Sequence, residues 1–144
     1  VERVEALAAE RGAPLKLIGW SLGGYLAREA ARERPECIER VITLGAPVVG
    51  GPSYTASAPG YLRRGYDLDE IRAAVLERER RPIIVPVFAV FSRSDGVVAW
   101  QACIDTFANP RVEHHELDSS HLGLVGSPRV FELVAELLAR KPSP

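Results

Sequence analysis

Hydrophobic positions follow two patterns that alternate along the chain. Short, nearly continuous apolar runs are typical of buried strands, whereas apolar residues spaced three or four apart are typical of amphipathic helices. Because the two patterns alternate without an internal repeat or a linker, the sequence predicts one α/β domain with a mostly parallel sheet of about four strands flanked by helices. The predicted strands are residues 15–18, 40–44, 82–91 and 111–117.

Helical spacing predicts five helices, and single residues mark several of their ends. Gly12 suits a C-terminal cap, Pro35 stops the second helix, and Asp67 with Glu70 forms a capping-box pattern. The second helix is expected to carry Arg28 and other charged residues outward, and the final KPSP segment is expected to fray. The predicted helices are residues 1–11, 22–34, 68–81, 100–109 and 128–138.

A G-x-S-x-G motif lies where the first strand meets the second helix, in the segment GWSLGG. In a strand–turn–helix context this pattern is the nucleophile elbow, because glycines two before and two after the serine let the backbone fold tightly. The tight turn holds the serine outward in a strained conformation. The motif therefore predicts an elbow made by Gly19, Trp20, Ser21, Gly23 and Gly24.

An acidic residue and a histidine follow later strands in the order that acyl-transfer chemistry needs. A serine hydroxyl is a poor nucleophile at neutral pH unless an imidazole takes its proton and a buried carboxylate fixes the tautomer of that imidazole. Ser21, Asp95 and His121 occur in the order serine, acid, histidine, and each follows a predicted strand. Since the carboxyl ends of parallel strands share one edge, we expect the three side chains to converge there.

Other residues of the same types have simpler explanations. His114 and His115 lie within the predicted fourth strand on opposite faces, which fits one surface and one packed side chain better than catalysis. Two further carboxylates are better explained as helix caps, and a third as a turn residue beside His121. These are Asp67, Asp69 and Asp118.

Stabilisation of a tetrahedral intermediate also requires hydrogen-bond donors for its oxyanion. The backbone N–H of Leu22, at the start of the second helix, is expected to be one donor, aided by the helix dipole. The second donor normally comes from a loop after an earlier strand, which this sequence does not contain. Losing one donor typically lowers turnover by about a hundredfold to a thousandfold, so we expect this chain alone to be a poor catalyst.

Composition and charge narrow the function classes. The 144 residues carry a formal net charge of -1, with acidic and basic residues interleaved, so no nucleic-acid partner is expected. No apolar run approaches a transmembrane span. Cys37 and Cys103 lack metal-ligand spacing and are expected to be two buried or half-buried thiols, and no metal or organic cofactor is implied.

The N-terminal residue bears on the cellular compartment. The chain lacks methionine and opens at Val1 within a predicted helix, so we expect that this is not its natural beginning. The lack of a targeting segment therefore leaves the localisation unknown.

The sequence resembles the α/β-hydrolase superfamily, especially its lipase-like and esterase-like members. By this resemblance Ser21 corresponds to the nucleophile, Asp95 to the acid and His121 to the base, and residues 45–81 occupy the position of a cap or lid. The matching stretches occur in the order of the family and cover nearly the whole chain: LKLIGWSLGGYLAREAARERP, VITLGAPVVGG, VFAVFSRSDGVVAW and VEHHELDSSHLGLVGSPRVFELVAELL.

The sequence departs from the family's pattern at its N-terminal end. Family members are roughly twice this long, with earlier strands that flank the elbow strand and a loop that completes the oxyanion hole. The resemblance thus implies a partial fold that lacks the N-terminal strands. The elbow strand would then be an exposed apolar sheet edge, which favours pairing with another chain or aggregation.

Residues and resemblance together predict a serine hydrolase that cleaves carboxylic esters through an acyl-enzyme intermediate. Residues 45–81 either cover a pocket as an apolar lid, which would favour a small-molecule or lipid ester as the substrate, or form a plain surface connection. Two alternatives stay open. One is an acyltransferase or a thioesterase with the same triad, and the other is a catalytically impaired, hydrolase-like fragment that acts as a binding module.

Overall fold

Four parallel strands form one sheet in a computed structural model that describes residues 1–141. The strands lie in the order β1-β2-β3-β4. Each neighbouring pair is parallel, which confirms the parallel sheet of four strands that the sequence predicts. Three of the four residues expected to fray, 142–144, lie outside the described residues. The bounds are β1 Leu15–Trp20, β2 Ile38–Leu44, β3 Val87–Phe91 and β4 Val112–Glu116.

Helices connect the strands and lie on both faces of the sheet. Gly12 ends the first helix in the left-handed conformation, and Asp67 caps the fourth by accepting the N–H groups of Asp69 and Glu70, both as predicted. Within residues 1–141, no helix combines the length and the apolar character that crossing a membrane requires. The α-helices are α1 Glu2–Arg11, α2 Leu22–Glu33, α3 Ala58–Arg63, α4 Leu68–Glu79 and α5 Pro128–Ala139.

Two apolar layers hold the helices onto the sheet. The larger layer packs α5 against β2 and β3, and fully burying each of its aliphatic side chains contributes about 1.5–3 kcal/mol. The buried Arg40 of β2 also donates from Nη1 to the carbonyl of Leu137 over 2.6 Å, which ties the end of α5 to the sheet. The core of this layer contains Ile42, Leu44, Phe88, Val90, Leu124, Val130, Val134 and Leu137.

The opposite face of the sheet is covered by α2. Two small residues of this helix, Ala30 and Ala31, let it approach the strands closely, and both are buried. Their partners include Val41 of β2 and Val87 of β3, each fully shielded from solvent. The sheet is therefore a central layer between α5 and α2, as expected for an α/β domain.

Strand β1 lies at an edge of the sheet. Ile18 stands opposite Ile42 of β2, yet it is 50% exposed, because the apolar layer under α5 contains residues of β2 and β3 and none of β1. Trp20 at the end of the same strand is 37% exposed. The apolar edge predicted from the sequence is thus present. Self-association through it stays a prediction.

Where β1 leads into α2, the backbone of Gly19 passes close to that of Gly24, a crossing that only small residues allow. A Cβ atom added at Gly19 would lie 2.4 Å from the carbonyl oxygen of Gly23, and one added at Gly24 would lie 2.7 Å from Cβ of Ala46. At Gly23, by contrast, no atom lies within 4 Å of an added Cβ. The motif predicts a steric need for glycine at Gly19 and Gly23. In the structure, crowding requires glycine at Gly19 and Gly24 instead.

Two predicted elements are shorter in the structure, and one predicted loop is partly helical. Strand β3 begins at Val87 rather than at residue 82, because Pro86 has no N–H to donate to the ladder. The helix expected over 100–109 is a single 3-10 turn, Trp100–Cys103, after which Asp105 turns toward α2 and forms an ion pair with Arg28. Residues 45–66, which lie outside every predicted strand and helix, contain a 3-10 helix, Gly51–Tyr54, and α3.

The crossing predicts opposite effects for two alanine substitutions. Gly19→Ala should lower the free energy of unfolding by about 1–3 kcal/mol, because its methyl group would overlap the backbone of α2. Gly23→Ala is the matched control and should be neutral or stabilising by up to about 1 kcal/mol, since alanine favours a helix where space is open. Urea unfolding followed by circular dichroism measures both. Equal effects of the two substitutions would contradict the crossing.

Candidate active site

Ser21, Asp95 and His121 all lie at the carboxyl edge of the parallel sheet. Ser21 directly follows β1, Asp95 lies in the turn after β3, and His121 lies in the segment after β4. Parallel strands end at the same edge, so the topology brings three distant parts of the sequence to one rim.

The backbone of Ser21 adopts a conformation that residues other than glycine rarely adopt. Its φ is 54° and its ψ is -127°, and it is the one non-glycine residue with positive φ within residues 1–141. Such a conformation costs about 1–3 kcal/mol and persists only where neighbouring contacts impose it. Here the Ser21 N–H donates to Leu44 O over 2.9 Å, and the Ser21 carbonyl accepts the N–H groups of Gly24 and Tyr25.

Ser21 caps the N-terminus of α2, and unpaired donors lie beside it. Among residues 1–141, the N–H groups of Leu22 and Gly23 meet no acceptor, as expected for the first turn of a helix. The positive end of the helix dipole adds to their attraction for an anion. Nor does the Ser21 hydroxyl form a hydrogen bond within the described part of the chain, so none joins it to His121 in this structure.

Asp95 and His121 form a buried hydrogen-bonded pair. Nδ1 of His121 lies 2.7 Å from Oδ2 of Asp95, and the two residues are only 6% and 5% exposed. The second carboxylate oxygen, Oδ1, accepts the backbone N–H groups of Val97 and Val98, each over 2.9 Å. A neutral imidazole that donates from Nδ1 to a carboxylate has Nε2 as its acceptor.

Two residues around this pair leave it little freedom. Gly45 follows β2 with φ 55°, and a Cβ atom added there would lie 2.9 Å from Oδ2 of Asp95 and 3.3 Å from Nδ1 of His121. Trp20 donates from its indole nitrogen to the carbonyl of His121 over 3.1 Å, and the two rings are 4.9 Å apart. Trp20 precedes Ser21 directly, so the imidazole packs against the residue next to the serine.

A cavity of about 300 Å³ opens beside Ser21. Val97 and Val98, whose N–H groups hold the Asp95 carboxylate, line one part of it. The helices of the 45–81 segment supply another part. Its walls include Leu22, Tyr25, Tyr61, Ile71 and Val75.

The competing residues of the same types have other roles. Asp118 accepts a hydrogen bond from Oγ of Ser94 over 2.7 Å, which fits the turn residue expected there. His114 lies 3.2 Å from Asp105, and His115 packs against Phe88 and has a lowered pKa, mainly because burial disfavours its charged form. Neither histidine contacts Asp95.

Both cysteines of the chain are free thiols. Cys103 is buried and Cys37 is partly buried, and neither forms a disulfide, as predicted. Burial, together with the Asp95 charge, raises the pKa of the Cys103 thiol to about 12, so this thiol stays protonated at neutral pH. Within residues 1–141, no three His, Cys, Asp or Glu side chains are grouped as metal ligands.

The prediction that Arg28 points outward is wrong. Arg28 is 2% exposed and forms a two-bonded ion pair with Asp105, while Glu79 of α4 lies nearby with a pKa raised mainly by burial. These residues and Arg32 line a larger cavity of about 430 Å³ that contains none of the three predicted site residues. Helical spacing alone could not predict the burial of Arg28, because its partner Asp105 lies far away in the sequence.

Comparison with known proteins gives structural matches but no sequence-level match. No protein-family model and no curated protein matches the chain. The esterase domain of a Rhodothermus marinus protein is similar with a TM-score of 0.65 and 24% identity, over 94% of this chain and 63% of that one. A monoacylglycerol lipase from Paleococcus ferrophilus has a TM-score of 0.65 and 14% identity, over 95% and 71%.

A third similar structure is the alpha/beta hydrolase domain-containing protein 10 from mouse. Its TM-score is 0.59 with 20% identity, over 86% of this chain and 60% of that protein. The chain thus spans 60% to 71% of the length of these three solved structures. The parallel strand order and these matches together show that the chain has the α/β-hydrolase fold.

Proposed function

We propose that the protein is a serine hydrolase that cleaves carboxylic esters through Ser21, His121 and Asp95. The observation that carries the proposal is the buried hydrogen bond between His121 and Asp95, at the same sheet edge as the strained Ser21. The names of two structural neighbours, an esterase domain and a monoacylglycerol lipase, support ester bonds as the target.

The geometry suggests a role for each group in the reaction. Nε2 of His121 accepts the proton of the Ser21 hydroxyl as Oγ bonds to the ester carbonyl carbon, and Asp95 stabilises the imidazolium that forms. The imidazolium then protonates the leaving alcohol, and water releases the acid from the acyl-enzyme by the same steps. Because catalytic hydrogen bonds often tighten only when substrate binds, rotation of the free Ser21 hydroxyl toward His121 belongs to this step.

The N-terminus of α2 provides part of the oxyanion site in this proposal. The N–H of Leu22 meets no acceptor in the described residues, and it lies at the positive end of the helix dipole. A negative charge that develops on the carbonyl oxygen beside Ser21 would be stabilised there. The second donor predicted from the family resemblance is not assigned to any residue of this chain.

We propose that residues 45–81 act as the lid of this site. The segment contains α3 and α4, and its residues Tyr61, Ile71 and Val75 face the cavity that Ser21 lines. A lid over a nucleophile excludes water and holds the substrate during the reaction.

Two other functions compete with ester hydrolysis. An acyltransferase or a thioesterase would use the same three residues, and product analysis with competing alcohols and thioesters separates these enzymes from an esterase. The absence of a hydrogen bond between Ser21 and His121 in this structure favours a binding module. If the protein is a binding module, turnover should not depend on Ser21.

Replacing the serine tests the nucleophile. Ser21→Ala should lower kcat/KM for p-nitrophenyl butyrate by at least about a thousandfold, because the acyl-enzyme can no longer form. Ser127→Ala is the matched control, since the Ser127 side chain makes no capping hydrogen bond to α5. It should keep the wild-type rate. Equal turnover by wild type and Ser21→Ala would reject a catalytic serine.

Replacing the carboxylate tests the role of Asp95 without a change in size. Asp95→Asn keeps its amide oxygen against the N–H groups of Val97 and Val98 and turns its N–H₂ toward Nδ1 of His121. Two donors then face each other, which disfavours the tautomer that leaves Nε2 unprotonated, so kcat should fall by about 10⁴-fold. Asp118→Asn is the control and should change kcat less than about threefold, because Asp118 accepts only from Ser94. Steady-state kinetics of both variants on the same p-nitrophenyl ester measures the two changes in kcat. A similar loss in both variants would contradict the assignment.

A further inference from the structure

Polar contacts attach the C-terminal end of α4 to α2. Nη1 of Arg78 lies 3.5 Å from Oε2 of Glu29. Arg32 of α2 donates from Nε to the carbonyl of Arg81 over 2.7 Å and also forms an ion pair with Glu29. The side chains of Arg32 and Glu29 are largely buried, so these contacts hold the end of the 45–81 segment against the sheet layer.

Glu79, the last residue of α4, has a carboxyl group that lacks a hydrogen-bond donor. Both of its oxygens are shielded from solvent, and within residues 1–141 neither accepts a hydrogen bond. Burial raises the pKa of this carboxyl and outweighs the opposite influence of Thr106, Arg28 and Arg32, while the negative charge of Asp105 raises it further. An ionised carboxylate in this position would lose its hydration without a partner, so the packed arrangement favours the neutral form.

The charged groups that face Glu79 from α2 and from the segment after β3 already have other partners. Asp105 forms its two-bonded ion pair with Arg28, and Nε2 of His114 lies 3.2 Å from Oδ2 of Asp105. Arg32 is paired with Glu29. Both arginines that face Glu79 are therefore engaged by other carboxylates. His114 is a second group of this cluster that can change its charge, so an experiment must separate it from Glu79.

From this arrangement, we infer that Glu79 is a pH-sensitive switch: its neutral carboxyl lets the end of α4 stay packed against α2, and its ionisation releases that end toward water. The inference rests on the proposal that residues 45–81 act as a lid. Helix α4 also lines the cavity beside Ser21 through Ile71 and Val75. Release of the helix end would move this wall and open the cavity.

The direction of the pH dependence follows from the environment of the carboxyl. Because the pKa of Glu79 is raised in the packed state, the packed state holds the proton more strongly than a released, hydrated state does. Packing is therefore fully favoured below the ordinary pKa of glutamate. Above that value each release of the helix end also releases one proton, so the opening constant should rise about tenfold per pH unit until the raised pKa is passed.

Hydrogen exchange of backbone amides measures this opening. After correction for the intrinsic pH dependence of exchange, protection of residues 75–79 should fall about tenfold per pH unit over part of the range from about pH 4.5 to 8, whereas protection of α5 should not. Glu79→Gln keeps the size of the side chain and stays neutral, so it should remove this dependence. Glu77→Gln is the matched control and should keep it, because the exposed Glu77 side chain pairs with Arg80 on the same helix.

Several outcomes would overturn the inference. One is protection of α4 in the wild type that does not change with pH, and another is the same dependence in Glu79→Gln as in the wild type. A dependence that persists in Glu79→Gln but disappears in His114→Gln would assign the effect to His114 instead. Carbon-13 nuclear magnetic resonance of the wild type needs no substitution: the carboxyl signal of Glu79 should titrate at a higher pH than that of Glu77, and a common titration pH also contradicts the switch.

Turnover separates this inference from the proposed function. If α4 opens with the expected pH dependence while hydrolysis of p-nitrophenyl butyrate does not depend on Ser21, the switch stands and the proposed function fails. If hydrolysis depends on Ser21 but the opening of α4 does not depend on Glu79, the proposed function stands and the switch fails.

Discussion

The close passage of Gly19 over Gly24 is the constraint on which the candidate site depends. It lets α2 start immediately after β1, and Ser21, which joins the two elements, adopts positive φ. The strain at Ser21 costs about 1–3 kcal/mol, which is a substantial part of the 5–15 kcal/mol that usually stabilises a domain. The parallel pairing of β1 with β2 and the apolar layers on both faces of the sheet offset this cost. Because the backbone carries the strain, Ser21 stays partly exposed at the start of a helix.

The proposed base, His121, and the proposed acid, Asp95, are positioned in a different way from Ser21. Backbone N–H groups of Val97 and Val98 orient the Asp95 carboxylate, and this carboxylate orients His121. Gly45 leaves room for the pair, so the end of β2 shapes the site although it contributes no reactive group. The site thus combines a rigid buried pair with a hydroxyl that is free to rotate. This arrangement suits a base that must keep one orientation while the nucleophile changes partners.

Periodicity and motifs predicted the parts of the structure that depend on local sequence. The four strands, helices α2 and α5, and the position of Ser21, Asp95 and His121 at one edge of the sheet came from apolar patterns and from one glycine-serine motif. Features that depend on distant partners could not be predicted in this way. Spacing did not distinguish Gly24 from Gly23, because the crowding comes from Ala46, and it placed Arg28 outward because Asp105 is distant in sequence. For the same reason, the turns that form α3 and shorten the helix after β3 were missed.

The most direct test of the site is to locate the serine whose hydroxyl is activated by an imidazole. A fluorophosphonate reacts covalently with such a serine, and mass spectrometry of the digested protein identifies the modified residue. We predict one adduct, on Ser21, which disappears in His121→Gln and persists in His115→Gln. An adduct on another residue, no adduct in the wild type, or undiminished labelling of Ser21 in His121→Gln would contradict a catalytic role for the Ser21–His121–Asp95 site.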